Sequence, residues 1–181
     1  MESMYFDDVE VGQTWISQAR TVTQGDVSQF ATMTGDFNPL HVDHDFAANG
    51  PYRQPIAHGL LGLSWVAGLG STAPLMHTVA FTCVKSWNFL APIYFGDTVH
   101  VETVCLEKLG RGRKAGQVVW DRKLINQKGQ TVQQGQFETL VAIELPAKST
   151  SVSEDVVERV DSESAAAKPN FLKKDSVKQK L

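Results

Sequence analysis

Pro55-Ile56-Ala57-His58-Gly59-Leu60-Leu61-Gly62-Leu63-Ser64-Trp65-Val66-Ala67-Gly68-Leu69 is the stretch that decides the fold. It lies in a window, Gln54 to Val84, that contains no Asp, Glu, Lys or Arg. From about Leu60 to Leu69 apolar residues fall on every side of a helix, and a helix apolar all round is enclosed by something. A bilayer would ask for about 20 mainly apolar residues in a row. Here Gly59, Gly62, Gly68, Gly70, Ser71, Thr72 and Pro74 break the run, and His58 and His77 sit in it. The reading is a buried helix, then a turn, then a strand, with no membrane partner.

Downstream come four runs rich in β-forming residues: Thr78 to Phe89, Thr98 to Lys108, Gln117 to Asn126 and Thr131 to Glu144. Turn signals separate them at Pro92, Gly96-Asp97, Gly110 to Gly112 and Lys128-Gly129. Upstream, Gln13 to Thr23 reads as a further strand. Thr23 is a helix N-cap, and Val27, Phe30, Ala31 and Met33 recur at helical spacing until Gly35 ends the helix. Asp36 to Pro55, with its Asn, Gly and Pro residues, should be irregular apart from a helical turn around Phe46 to Asn49. The sum is an α+β fold, a long antiparallel sheet whose concave face holds one apolar helix. Such a sheet has open edges, and pairing two copies would cover them, so a homodimer is expected.

The chain has 181 residues, 42% of them hydrophobic, with 17 Lys and Arg against 20 Asp and Glu. A net charge of −3 argues against nucleic acid as a partner, because no basic tract is available to neutralise phosphates. Cys83 and Cys105, without a CxxC pair or a His at metal-ligand spacing, read as buried reduced thiols. MESMYFDDVEVG lacks a basic region and a long apolar run, so no secretory signal is expected and the mature chain should start near Met1. Gln179-Lys180-Leu181 departs from the peroxisomal Ser-Lys-Leu address at its first residue, and the expected compartment is cytoplasmic. After Leu145 the composition turns to Ser, Lys, Ala and acidic residues, which bury too little apolar surface to offset ordering. Residues 1–145 are therefore expected to form the domain and 146–181 a flexible tail.

The chemistry is concentrated in Thr34-Gly35-Asp36-Phe37-Asn38-Pro39-Leu40-His41-Val42-Asp43. A turn at Asn38-Pro39 can fold the Asp36 carboxylate and the His41 imidazole toward one another, so that one water touches both. That pairing suits general acid/base work near neutral pH. Equally, Asp36 would cap the turn and His41 pack beside the helix. Gly59, at the head of the apolar helix, carries an N–H with no helical partner and no side chain to hold a ligand away, which suits an oxyanion donor worth ~3 kcal/mol. The alternative there is close helix–loop packing. His41-Val42-Asp43-His44-Asp45 does not make a metal site, because adjacent turn residues do not all converge. Arg111, Gly112, Arg113 and Lys114 form a basic hairpin tip, either solvated or available to phosphates.

Three segments together resemble the MaoC-like (R)-specific enoyl-CoA hydratases. They are Ser28-Gln29-Phe30-Ala31 through Gly35-Asp36-Phe37-Asn38-Pro39-Leu40-His41, then Pro55-Ile56-Ala57-His58-Gly59-Leu60-Leu61, then Phe89-Leu90-Ala91-Pro92-Ile93-Tyr94-Phe95-Gly96-Asp97-Thr98-Val99. The likeness spans roughly residues 5–145 and implies a hot-dog fold working as a homodimer or larger homo-oligomer. It implies reversible hydration of a trans-2-enoyl-CoA to an (R)-3-hydroxyacyl-CoA, with no metal and no redox cofactor, coenzyme A entering only as part of the substrate. Asp36 and His41 match the hydratase dyad, one removing a proton from water while the other helps deliver one to the α-carbon. Gly59 matches the glycine whose N–H binds the thioester oxygen, and Asn38 lies inside the motif and shapes its loop. Ala67 stands where some short-chain members have a serine in the acyl pocket, and Trp65 would narrow that pocket if it pointed inward. The same fold also hosts acyl-CoA thioesterases, and a non-catalytic acyl-thioester binding subunit is the reading from a different class.

Overall fold

The computed structural model describes residues 3–144. The expected tail at 146–181 lies outside the described residues. After a short 3-10 turn at Phe6–Asp8, the chain forms β1 (Thr14–Ile16), β2 (Arg20–Thr21) and α1 (Gln24–Thr34). Then come α2 (Pro39–Val42), α3 (His44–Ala48), α4 (Gly59–Gly70) and the long strands β3 (Thr78–Phe89), β4 (Thr98–Leu109), β5 (Ala115–Asn126) and β6 (Thr131–Ala142). All pairings in the sheet are antiparallel, in the order β1-β4-β5-β6-β3, with β2 also pairing β4. No helix of the described residues is long and apolar enough to cross a membrane.

The long strands alternate, and every second residue of β5 and β6 turns toward α4, among them Val118, Trp120, Leu124, Phe137 and Val141. Against them α4 lays Leu61, Gly62, Trp65, Val66 and Gly70, all buried. Val66, Val99, Val101 and Phe137 have no exposed surface, which places the core between helix and sheet. This is the expected hot-dog arrangement.

Several details differ from the sequence reading. The strand expected over Gln13 to Thr23 is two short pieces. Ser17 interrupts it: its Oγ accepts the Val101 N–H at 2.9 Å, where a continuous ladder would have used a backbone carbonyl. Met33 is exposed rather than on the buried face of α1, whose buried residues are Val27, Phe30 and Ala31. The single turn expected near Phe46 is two short helices, because two caps act in succession. Asn38 Oδ1 accepts from Leu40 N, with Pro39 at the first helical position, and Asp43 Oδ1 accepts from Phe46 N. Cys105 is buried as expected, but Cys83 is exposed, because β3 is an edge strand that the described residues leave largely uncovered. At the basic tip, Arg111 is engaged by Asp7 through two hydrogen bonds of 3.0 and 2.9 Å.

Candidate active site

Helix α1 delivers the first half of the site. Its N-terminus is closed by a capping box between Thr23 and Asp26, and its C-terminus by Gly35 in the left-handed region at φ 79°, where the Gly35 N–H returns to the Ala31 carbonyl. The chain then turns sharply into Asp36, whose Oδ1 accepts the Asn38 N–H at 3.3 Å. The Asn38 side-chain Oδ1 accepts the Leu40 N–H at 3.0 Å and its backbone oxygen the His41 N–H at 2.9 Å, so Asn38 shapes the loop that carries His41.

Two histidines face each other behind that loop. The rings of His41 and His58 are stacked with centroids 3.8 Å apart. His58 is buried between His41 and Phe30, and its Nε2 lies 2.9 Å from the backbone oxygen of Asp36 and 3.9 Å from its carboxylate. A backbone oxygen only accepts, so His58 Nε2 is the protonated nitrogen, and its Nδ1 is buried without a hydrogen-bond partner among the described residues. A carboxylate oxygen of Asp36 and one ring nitrogen each of His41 and His58 lie within 4.8 Å of one another. Of the run His41 to Asp45 only His41 belongs to this cluster, which draws its other members, Asp36 and His58, from outside the run. One nitrogen of each ring is committed to a backbone carbonyl.

The second half of the site is the head of α4. The His58 carbonyl takes the N–H groups of Leu61 and Gly62 at 3.1 and 3.3 Å, while that of Gly59 has no partner among the described residues. Gly59 lines a cavity of about 390 Å³ together with Tyr52, Ile56, Phe89, Pro92 and Gln133. A Cβ on Gly59 would lie 2.9 Å from the Phe89 ring, so glycine is the residue that fits under it. Asp36 and His41 are outside the cavity lining; Ile56 joins the two halves, since it lines the cavity and its carbonyl receives His41 Nδ1 at 2.7 Å.

Not every residue singled out in the sequence falls here. Trp65 is buried in the core with the Arg20 guanidinium over its ring at 4.8 Å, and Ala67 is partly buried against the same core; neither lines the cavity. Two participants carried no role in the sequence reading. His58 was visible as a motif residue. Gln133 was visible only as a polar residue in phase with the inward-facing Phe137 and Val141 of its strand.

A long antiparallel sheet wrapped on an apolar helix defines the hot-dog fold, and here a carboxylate and an imidazole stand at the helix head. The family model described as "MaoC like domain" matches residues 8–127. The 3-hydroxybutyryl-CoA dehydratase of Methylorubrum extorquens is 37% identical over 113 residues, covering 62% of this chain and 70% of that protein. The 3-hydroxyacyl-thioester dehydratase Z of Mycobacterium tuberculosis is 32% identical over 157 residues, covering 83% and 89%. Among solved structures, the R-hydratase PhaJ1 of Pseudomonas aeruginosa superposes with a TM-score of 0.63 at 28% identity, over 80% of this chain and 92% of that one. The chain belongs to the MaoC-like dehydratase family and is a hydro-lyase.

Proposed function

We propose that this protein is an (R)-specific enoyl-CoA hydratase, adding water reversibly to a trans-2-enoyl-CoA to give the (R)-3-hydroxyacyl-CoA. The observation that carries the reading is the clustering of the Asp36 carboxylate with His41, linked through Ile56 to the cavity lined by Gly59, whose N–H, like His41 Nε2, has no partner among the described residues. Relatives named 3-hydroxybutyryl-CoA dehydratase and (R)-specific enoyl-CoA hydratase, the latter from Rhodospirillum rubrum at 35% identity over 96 residues, support the substrate class.

The water sits between Asp36 and His41. His41 Nε2 takes one of its protons as the oxygen bonds to the β-carbon, and the electron pair of the double bond moves toward the thioester oxygen. Gly59 N–H donates to that oxygen, helped by the positive end of the helix dipole. The proton held on His41 then passes to the α-carbon, and the carbonyl re-forms. Asp36, as a carboxylate, orients the water and stabilises the imidazolium. No electrons are exchanged overall, and the mechanism as proposed calls on neither a metal nor a redox cofactor.

A second copy of the chain completes the unit in this proposal. Phe37, Phe46 and Leu60 are each more than half exposed, and so is Phe89 at the end of the edge strand β3. Apolar groups so close to the site fit a covering protomer.

The test is loss of enoyl-thioester absorbance with crotonyl-CoA and a longer trans-2-enoyl-CoA, followed by chiral analysis of the product. An (R)-3-hydroxy product made by wild type and lost in Asp36→Asn is expected. Release of free thiol from a saturated acyl-CoA, or binding without turnover of any enoyl thioester, would overturn the proposal.

A further inference from the structure

We infer that Gln133 is a positioning residue that holds the Gly59 amide in register for the thioester oxygen, an inference that rests on the hydratase reading above. Gln133 lies on β6, is only 2% exposed, and reaches across to the first turn of α4. Its Nε2 donates to the Gly59 carbonyl at 3.0 Å, and its Oε1 accepts from Trp87 Nε1 at 3.2 Å. An indole N–H only donates and a backbone carbonyl only accepts, so these partners admit one orientation of the amide.

The helix makes room for this contact. A Cβ on Gly62 would come 2.3 Å from Gln133 Nε2 and 2.8 Å from its Cδ, so the amide occupies the space that any other residue at position 62 would fill. A buried amide costs free energy unless its hydrogen bonds are made, and here they are made to the turn that carries the oxyanion donor. The segment is anchored on both sides. His58, the N-cap of α4, is tied to the Asp36 backbone oxygen at 2.9 Å, and Gly59 is tied through its carbonyl to Gln133. Glycine has the widest freedom of φ and ψ, so an unanchored Gly59 at a helix end would sample directions that miss the thioester oxygen. The Gly59 carbonyl bond fixes the backbone just after the N–H, and the His58 bond fixes it just before.

Because the anchor aims a donor at charge that grows in the transition state, its loss should fall on kcat more than on KM. Gln133→Met keeps the length and volume but makes neither hydrogen bond. In the full chain, kcat for crotonyl-CoA should fall about tenfold or more with KM within about twofold. The spectroscopic readout is the carbonyl stretch of bound butyryl-CoA labelled with carbon-13 at its carbonyl, a saturated thioester that cannot be hydrated. Wild type should shift this band to lower frequency, and Gln133→Met should return it toward the value of the free thioester at similar affinity. If Gln133→Met does not fold, Gly62→Ala expels the same amide from the helix side and should give the same two changes. Wild-type kcat together with a wild-type carbonyl band in a folded variant overturns the inference and leaves the hydratase reading intact. A wild type that shifts the butyryl-CoA band but hydrates no enoyl-CoA overturns the hydratase reading alone, and failure of wild type to bind either thioester overturns both.

Discussion

His41 Nδ1 lies 2.7 Å from the backbone oxygen of Ile56, an acceptor that leaves the ring one option. Nδ1 carries the proton, so in the neutral ring Nε2 presents its lone pair, and the Asp36 carboxylate belongs to the same cluster. The expected outcome for His41→Ala is a loss of kcat of roughly 10²–10⁴-fold in the enoyl-CoA assay. Asp36→Asn should fall in the same range, because the amide cannot stabilise the imidazolium. The Asp36 side chain is 54% exposed, so its variant should keep the wild-type melting transition. Equal turnover in wild type and both variants would remove the dyad from the mechanism.

The edge strand supplies the second prediction. Val79, Phe81 and Val84 of β3 are 59%, 49% and 41% exposed, and among the described residues β3 ends the sheet with an unpaired edge. Long exposed apolar edges invite pairing with another chain. Wild type is expected to sediment as a dimer at micromolar concentration, and the double variant Phe81→Lys, Val84→Lys as a monomer. It should also lose activity, since exposed Phe37 and Phe46 flank the loop that carries Asp36 and His41. A monomeric wild type of full activity would count against the assembly proposed for this site.

The contrast between what was legible in the sequence and what was not follows the range of the interactions. Thr78–Phe89 was readable with its bounds unchanged, and β4 differs from its expected span by one residue, because alternation and turn residues act locally. Helix α4 showed itself through the missing charges, and Asp36 with His41 through a compact motif. By contrast, the Gln133 to Gly59 bond joins residues 74 apart, and nothing local marks a glutamine on an inward strand position as partnered. The break between β1 and β2 depends on Ser17 meeting Val101, 84 residues away. Exposure of Cys83 depends on which strand ends the sheet, a property of topology and not of its neighbours in sequence.

Arg122 predicts an unusual stability pattern. Its guanidinium is buried beneath the last turn of α4, donates to the Gly70 carbonyl at 3.2 Å, and lies over the Phe137 ring with no carboxylate paired to it among the described residues. Burial pushes its pKa down to about 10. For a base the sign is plain: a folded value below the unfolded one means that holding the charge opposes folding at every pH below about 10. Arg122→Met fills the slot without the charge and should be within about 1 kcal/mol of wild type or more stable in urea unfolding. Arg122→Ala leaves a void under Gly70 and should lose about 3 kcal/mol. Equal losses in the two variants would mean that the bond to Gly70, not the volume, holds the helix end.

The acid limb of stability should depend on Asp26, which stands at the opposite end of α1 from the Asp36–His41 loop. Partial burial raises its carboxyl, but the Thr23 backbone N–H and hydroxyl at 2.8 Å each and the Arg20 guanidinium at 2.6 Å outweigh that, holding the pKa below its ordinary value. A carboxylate with a lowered folded pKa contributes stability that is complete above the unfolded value of about 3.9 and fades as pH drops through the folded value. Asp26→Ala should therefore cost about 1 kcal/mol at pH 7, a typical loss for a helix cap, and the gap from wild type should close as pH falls below about 4. Urea unfolding of both proteins from pH 7 down to pH 3 measures this, and a gap independent of pH would refute the assignment. Because α1 ends at Gly35 and leads straight into Asp36, the variant should also lose enoyl-CoA turnover with rising temperature before its global unfolding, as the helix that delivers the dyad frays from its uncapped end.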